Sequence, residues 1–213
     1  MKTGFLAAAL AAATVAMAGC KDSTGNDDEI ASGSLAFSYT GVRSGSFAAN
    51  GALEKTNAGA FVKKSFATAV KLSDGAQNFV GVVAYLPVTA TTGTEALFLF
   101  PSATAGTTLN LTDNCPGTAC PIGIVAFDTD PDLPEDESDP FFFTTGTIHI
   151  TAVSASRISG TFSGTALDFE GTRAIEVTGG TFDVPLLAES DFPSGNRSAP
   201  TAPFQQLMRQ RKQ

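Results

Sequence analysis

Tryptophan is absent from this chain of 213 residues, and histidine occurs once, as His149. Without indole rings it lacks the flat faces on which sugar binding by stacking usually leans. A single histidine cannot build a multi-imidazole metal centre. As a catalytic base it would need an orienting acid from elsewhere in the fold, since its sequence neighbours are threonine and isoleucine. His149 therefore reads as an ordinary surface or cross-strand residue. Positive charge is also scarce, with 13 Lys and Arg against 21 Asp and Glu and a formal net charge of −8. No basic cluster interrupts the body of the chain, so phosphate backbones are repelled and no nucleic acid partner is expected. Gly-x-Ser-x-Gly, His-Glu-x-x-His and Gly-x-x-x-x-Gly-Lys-Ser/Thr do not occur. That removes the common hydrolase, metallohydrolase and nucleotide-binding routes. Carboxylates brought together by folding could still make an enzyme, which stands as the third of three readings.

What is present begins at the first residue. Met1-Lys2-Thr3-Gly4 leads into an apolar run over residues 5–18, and Gly19 and Cys20 follow. The run is shorter than the roughly 20 residues that span a bilayer. A basic start, a short apolar stretch and small residues before the cut form a secretory signal. Met17-Ala18-Gly19-Cys20 resembles the bacterial lipobox. The resemblance implies that residues 1–19 are removed and that Cys20 becomes the lipid-modified N-terminus, the chain's link to a membrane. Two acyl chains already give stable anchoring. Lys21 stands where enteric bacteria place the aspartate that retains lipoproteins in the inner membrane, so the resemblance implies the outer membrane. Loss of Lys2 leaves residues 20–213 at a net charge of −9. Residues 20–33 are polar and acidic and read as a flexible tether.

Two cysteines remain, in Asn114-Cys-Pro-Gly-Thr-Ala-Cys-Pro121. In an oxidising compartment paired thiols usually close a disulfide. Pro116-Gly117 fits the two central places of a type II turn, which folds Cys115 back towards Cys120. The spacing is not Cys-x-x-Cys, and no second pair or nearby histidine points to a metal. A Cys115–Cys120 disulfide is expected.

Residues 34–187 read as strand after strand. Residues 157–168 place Ile158, Gly160, Phe162, Gly164 and Ala166 on one face and polar residues on the other. Residues 145–152 repeat this, with Ile148 and Ile150 inward. Residues 79–86 are apolar on both faces and are expected to be covered on both sides. In residues 173–184, Ile175 and Val177 share one parity and Phe182 and Val184 the other, so a β-bulge at Gly179-Gly180 is expected to restore the inward face. Further strands are expected at 35–39, 46–53, 66–72, 96–100, 107–111 and 122–127. About ten short strands without helices predict an all-β domain, an antiparallel sandwich or flattened barrel. Residues 188–213 read as a loose tail, with Phe204, Leu207 and Met208 at helical spacing.

Seven carboxylates crowd residues 128–139. Asp128, Asp130 and Asp132 carry the one-three-five oxygen pattern that opens a calcium loop. Leu133 stands where an EF-hand needs glycine, and Pro131 and Pro134 stiffen the segment, so a solvated acidic loop is expected and no cofactor or metal. Phe141-Phe142-Phe143 follows, expected mainly in the core.

Arg157-Ile-Ser-Gly-Thr-Phe-Ser-Gly-Thr-Ala166 and Val177-Thr-Gly-Gly-Thr-Phe-Asp-Val184 resemble the closing strands of a group of uncharacterised all-β bacterial envelope lipoproteins. Thr145-Gly-Thr-Ile-His-Ile-Thr151 resembles the strand before them. The resemblance implies fold and envelope location, and brings no activity or catalytic residues. The leading expectation is a non-catalytic, lipid-anchored envelope protein with a binding or structural role. The second is a barrel-like carrier of a small apolar ligand, although the Gly-x-Trp motif of lipocalins is missing.

Overall fold

The computed structural model describes residues 31–54, 64–73, 75–112, 120–129 and 138–191. Among them the chain forms ten strands and one 3₁₀ turn, Glu189–Asp191. The strands are β1 (Gly33–Gly41), β2 (Gly45–Gly51), β3 (Phe66–Ser73), β4 (Asn78–Pro87), β5 (Gly93–Pro101), β6 (Thr108–Thr112), β7 (Ile122–Thr129), β8 (Asp139–Val153), β9 (Arg157–Asp168) and β10 (Ala174–Ala188).

The pairing closes on itself. β10, β3, β4, β5, β7, β8 and β9 form a seven-strand ring, since β9 joins both β8 and β10. β1 and β2 extend from β10, and β6 from β8. The expected all-β class holds, and the sheet is a closed barrel with extra strands rather than two separate packed sheets. The two long strands make the closure. β9 takes one edge of β10, and the other edge is shared, first by β1 and then by β3. β8 divides its free edge in the same way between β7 and β6. Leu186, Leu187 and Ala188 pair with Ala69, Val70 and Lys71 in parallel, the one departure from antiparallel pairing in the sheet. That contact lies beyond Val184, where the alternating pattern stops.

Alternation decides what fills the barrel. Ile158, Phe162 and Ala166 of β9, and Ile148 and Ile150 of β8, point into the main core as their parity requires. The register of β10 against β9 shifts between Val177 and Gly180, and Gly179 takes φ 62°. This is the expected bulge, and it returns Phe182 and Val184 to the face of Ile175 and Val177. Of the three successive phenylalanines, Phe141 and Phe143 are in the core and Phe142 is half-buried on the opposite face. Aromatic rings occupy the centre. Phe162 lies 4.5 Å from Phe98 and 5.7 Å from Phe37, Phe37 stacks on Phe47 at 4.9 Å, and Phe98 reaches Phe143 at 5.6 Å.

A second apolar cluster lies on the outer face of β3, β4 and β5. Phe66, Val70 and Leu72, Phe79, Val83 and Tyr85, and Leu97 and Leu99 have the parity opposite to the barrel core, yet all are buried. β4 is thus covered on both sides, as its sequence predicts. Thr68 sits in the same outward row, fully buried, and its Oγ1 has no hydrogen-bond partner. An unmet buried hydroxyl costs about 1–3 kcal/mol. Thr68→Val keeps the shape and removes the unmet group, so it is expected to raise stability by about 1 kcal/mol. Urea unfolding checks this, and a destabilised variant would mean that the hydroxyl is satisfied.

Candidate functional site

The densest polar cluster caps one opening of the barrel, where three turns meet. Arg43 lies in the turn between β1 and β2, held by Val42 N–H donating to Ala174 O at 3.0 Å. Asp128 is the penultimate residue of β7, Asp139 begins β8, and Arg173 precedes β10. Arg43 donates from Nε to Asp139 Oδ2 at 3.0 Å and from Nη2 to Asp128 Oδ2 at 2.8 Å. Arg173 grips the other side of Asp139 in a two-point fork, Nη1 to Oδ1 at 2.9 Å and Nη2 to Oδ2 at 3.0 Å. Asp139 is therefore a carboxylate between two guanidinium groups, with its side chain 22% exposed.

The layer beneath is aromatic. Arg43 lies over the Phe127 ring, 4.8 Å from its centroid, and Arg173 over Phe141 at 5.2 Å. The two rings meet edge to face at 5.7 Å. Cations over ring faces gain from the quadrupole, and the flat guanidinium suits that role better than an ammonium. Asp168 fixes the turn that carries Arg173, accepting from Thr172 N at 2.8 Å and Arg173 N at 3.1 Å. Asp128 has φ 57°, the only non-glycine residue with positive φ among those described. Asp tolerates this conformation better than most residues.

Electrostatics follows the contacts. The Arg173 hydrogen bonds hold the Asp139 carboxyl below the usual carboxylate range, desolvation opposes them, and Arg43 adds to the lowering. Arg173 is raised in turn, first by its hydrogen bonds to Asp139. For Asp168 desolvation pushes upward, but the Arg173 and Thr172 backbone N–H groups outweigh it and the net shift is down. A general acid needs a raised pKa, so Asp139 is unsuited to that role at neutral pH. The cluster instead fastens the three turns together.

A folded value below the unfolded one means that Asp139 contributes stability above its ordinary range. That contribution is lost as pH falls through the lowered folded value. Asp139→Asn is therefore expected to lower unfolding free energy by about 2 kcal/mol at neutral pH. The gap from the parent should narrow as pH drops below about 4. Urea titrations across that range check the sign, and a gap that does not change with pH would contradict it.

The residues expected from sequence fall differently. Asp128 is in this cluster but committed to Arg43, so a cation there would have to displace a guanidinium. Asp130 and Asp132 lie outside the described residues. Among the described residues no group of three or more His, Cys, Asp or Glu side chains is placed to hold a metal ion. His149 is a cross-strand residue, its Nδ1 2.9 Å from Thr108 Oγ1. Cys120 is half-buried just before β7, whereas Cys115 and Cys20 lie outside the described residues. Arg43 and Arg173 escaped sequence reading. Their signal was an arginine in each of two glycine-containing turns, in a chain poor in cations and facing an acidic run. Around them Phe169 and Val42 are exposed, at 90% and 54%. A second ion pair lies on the outer surface of β9 and β10. Arg157 Nε donates to Asp183 Oδ1 at 2.8 Å and Nη1 to Ser32 O at 3.2 Å. It fastens the chain just ahead of β1.

No protein-family model matches this chain. No curated protein and no solved structure matches it either.

Proposed function

We propose that this chain is a non-catalytic, lipid-anchored cell-envelope protein of the outer membrane, a β-barrel held on a short tether with a binding or structural role. The observation that carries this reading is the interior. Phenylalanines from β1, β5, β8 and β9 pack against one another across the barrel at ring distances of 4.5–5.7 Å. A barrel filled by its own side chains works through its surface. The lipobox at Met17-Ala18-Gly19-Cys20 supports the anchor, and a Cys115–Cys120 disulfide belongs to the same exported setting. Arg157 donates to the Ser32 carbonyl, just ahead of β1, where the proposed tether meets the barrel. The exposed Phe169 and Val42, flanking the Arg43–Asp139–Arg173 cap, are the residues we assign to contact with a protein partner.

The carrier reading has the closed ring in its favour and the aromatic filling against it. The carboxylate enzyme has least support, because Asp139 and Asp183 are each held ionised by an arginine.

The anchor is tested by Cys20→Ser. The variant is expected to leave the membrane fraction and to melt as the parent domain does. A variant that stays with membranes after a salt wash would remove the anchor from the proposal.

A further inference from the structure

Exposed apolar side chains gather at one end of the barrel. Among the described residues four large ones are exposed, Val42 at 54%, Val88 at 64%, Val153 at 40% and Phe169 at 90%. Val42 lies in the β1–β2 turn and Phe169 in the β9–β10 turn, both at the capped opening. Val88 lies in the β4–β5 turn, which opens at the same end, because Gly93 pairs with both Pro87 and Thr129. In the ring order that turn stands across the opening from the β9–β10 turn. Val153, the last residue of β8, is at the other end. Single apolar residues scattered over a surface need no explanation, but three on turns around one opening do. Two of these turns are fastened by their own polar groups. Thr89 Oγ1 accepts from Thr91 N at 3.2 Å and Thr92 N at 2.9 Å, and Val88 N donates to Thr92 O at 2.9 Å. Beneath Phe169, Gly171 N donates to Asp168 O at 3.0 Å, beside the bonds to the Asp168 carboxylate. A partner therefore meets backbone that is already ordered, which lowers the entropy cost of contact.

Taking Phe169 and Val42 as a contact with a protein partner, as proposed above, we propose that this end of the barrel docks a protein whose contact surface carries lysine or arginine around apolar pockets. Phe169 is the main anchor, and Val42 and Val88 are further contacts. Charge selects the partner. The cap holds Arg43 and Arg173, and these are already engaged by Asp128 and Asp139. Asp168 and Glu170 flank Phe169 in the chain, and Glu170 is exposed. The excess is negative, so an anionic lipid surface is repelled and a cationic protein surface is drawn in. Position agrees with charge. Ser32, where the tether arrives, is held by Arg157 at the start of β9, whereas the cap lies at the end of β9. The two are about 35 Å apart along that strand. The capped opening thus points away from the anchored side. Opposite charge steers the approach, and burial of the aromatic ring holds the complex.

The probe is a fluorescent peptide of alternating lysine and leucine, with a glutamate and leucine peptide as its counterpart, titrated into the Cys20→Ser form at low salt. The lysine peptide is expected to bind saturably and the glutamate peptide not to bind. Phe169→Ser should weaken binding about tenfold. Glu170→Lys should weaken it several-fold, and Glu189→Lys, the same charge change beyond β10, should leave it unchanged. These three side chains are exposed, so the variants should melt as the parent does. Equal weakening by Glu170→Lys and Glu189→Lys would show attraction to net charge alone and overturn the proposal. So would equal binding of the two peptides, or binding of neither. A photoreactive phenylalanine analogue at position 169 of the full chain in cells tests the contact itself. A cross-link to an envelope protein, beside a failed preference for the lysine peptide, removes the cationic partner and keeps the contact. No cross-link removes both. Phe169-dependent binding to phosphatidylethanolamine–phosphatidylglycerol vesicles would assign this end to a membrane. Self-association lost in Phe169→Ser would assign it to a second copy. Either result overturns the proposal.

Discussion

Phe162→Ala is expected to lower the unfolding free energy by about 4 kcal/mol, the range for deleting a buried phenylalanine. The ring is 4% exposed and stands where strands from opposite walls meet. It touches Phe98 of β5 at 4.5 Å, Phe37 of β1 at 5.7 Å and Phe182 of β10 at 6.5 Å. Its removal opens a cavity that barrel walls cannot close, because the backbone ring fixes their separation. The melting temperature should fall by about 10 °C in a domain of this size. Phe142→Ala, on the half-buried outer side of β8, should cost about 1 kcal/mol. Equal losses at the two positions would show that the rings do not fill the barrel as described.

Gly160→Ala should be nearly as damaging although it adds one methyl group. A Cβ at Gly160 would stand 2.5 Å from Phe182 Cζ and 2.6 Å from the backbone oxygen of His149. Gly180 mirrors it, a Cβ there meeting Phe162 Cδ2 at 2.6 Å. In β9 and β10 each glycine lies opposite the other strand's phenylalanine, Gly160 with Phe182 and Gly180 with Phe162. The missing side chains are therefore the space in which the rings lie. Overpacking costs about 1–3 kcal/mol, and here a carbonyl of the third strand also blocks retreat, so a loss of about 3 kcal/mol is expected. Phe182→Leu in the same chain should recover part of it, since only the ring contact is relieved. Chemical denaturation of the parent, two single and double variants measures this coupling. Simple additivity would show that ring and glycine do not share that space.

This pairing explains why the region around Gly-Thr-Phe was the most legible part of the sequence. A period of two, small residues and a phase break at Gly179-Gly180 each have one geometric meaning, and the strands and the bulge follow from them. The two-faced pattern of 79–86 likewise foretold a strand covered on both sides. Closure was not legible. It depends on three parallel pairs between β10 and β3, and no local pattern records which strand a chain end will meet. The cap was half legible. The acidic run marked Asp128 and Asp139, but their partners Arg43 and Arg173 are distant in sequence and come together only when β1, β8 and β10 are aligned. That reverses the meaning of Asp128, from a candidate cation ligand to the partner of a cation the chain already carries.

The most direct measurement is a titration of the Cys20→Ser form, in which the proposed acylation site is removed, with a fluorescent fatty acid. A barrel filled by Phe37, Phe98, Phe143 and Phe162 predicts no saturable binding by the folded protein. It also predicts that Phe162→Ala, if it opens a dry cavity, still takes up only molecules of about the size of benzene. One-to-one saturable binding by the unaltered barrel, abolished by Phe98→Trp, would contradict the filled interior and make the chain a carrier.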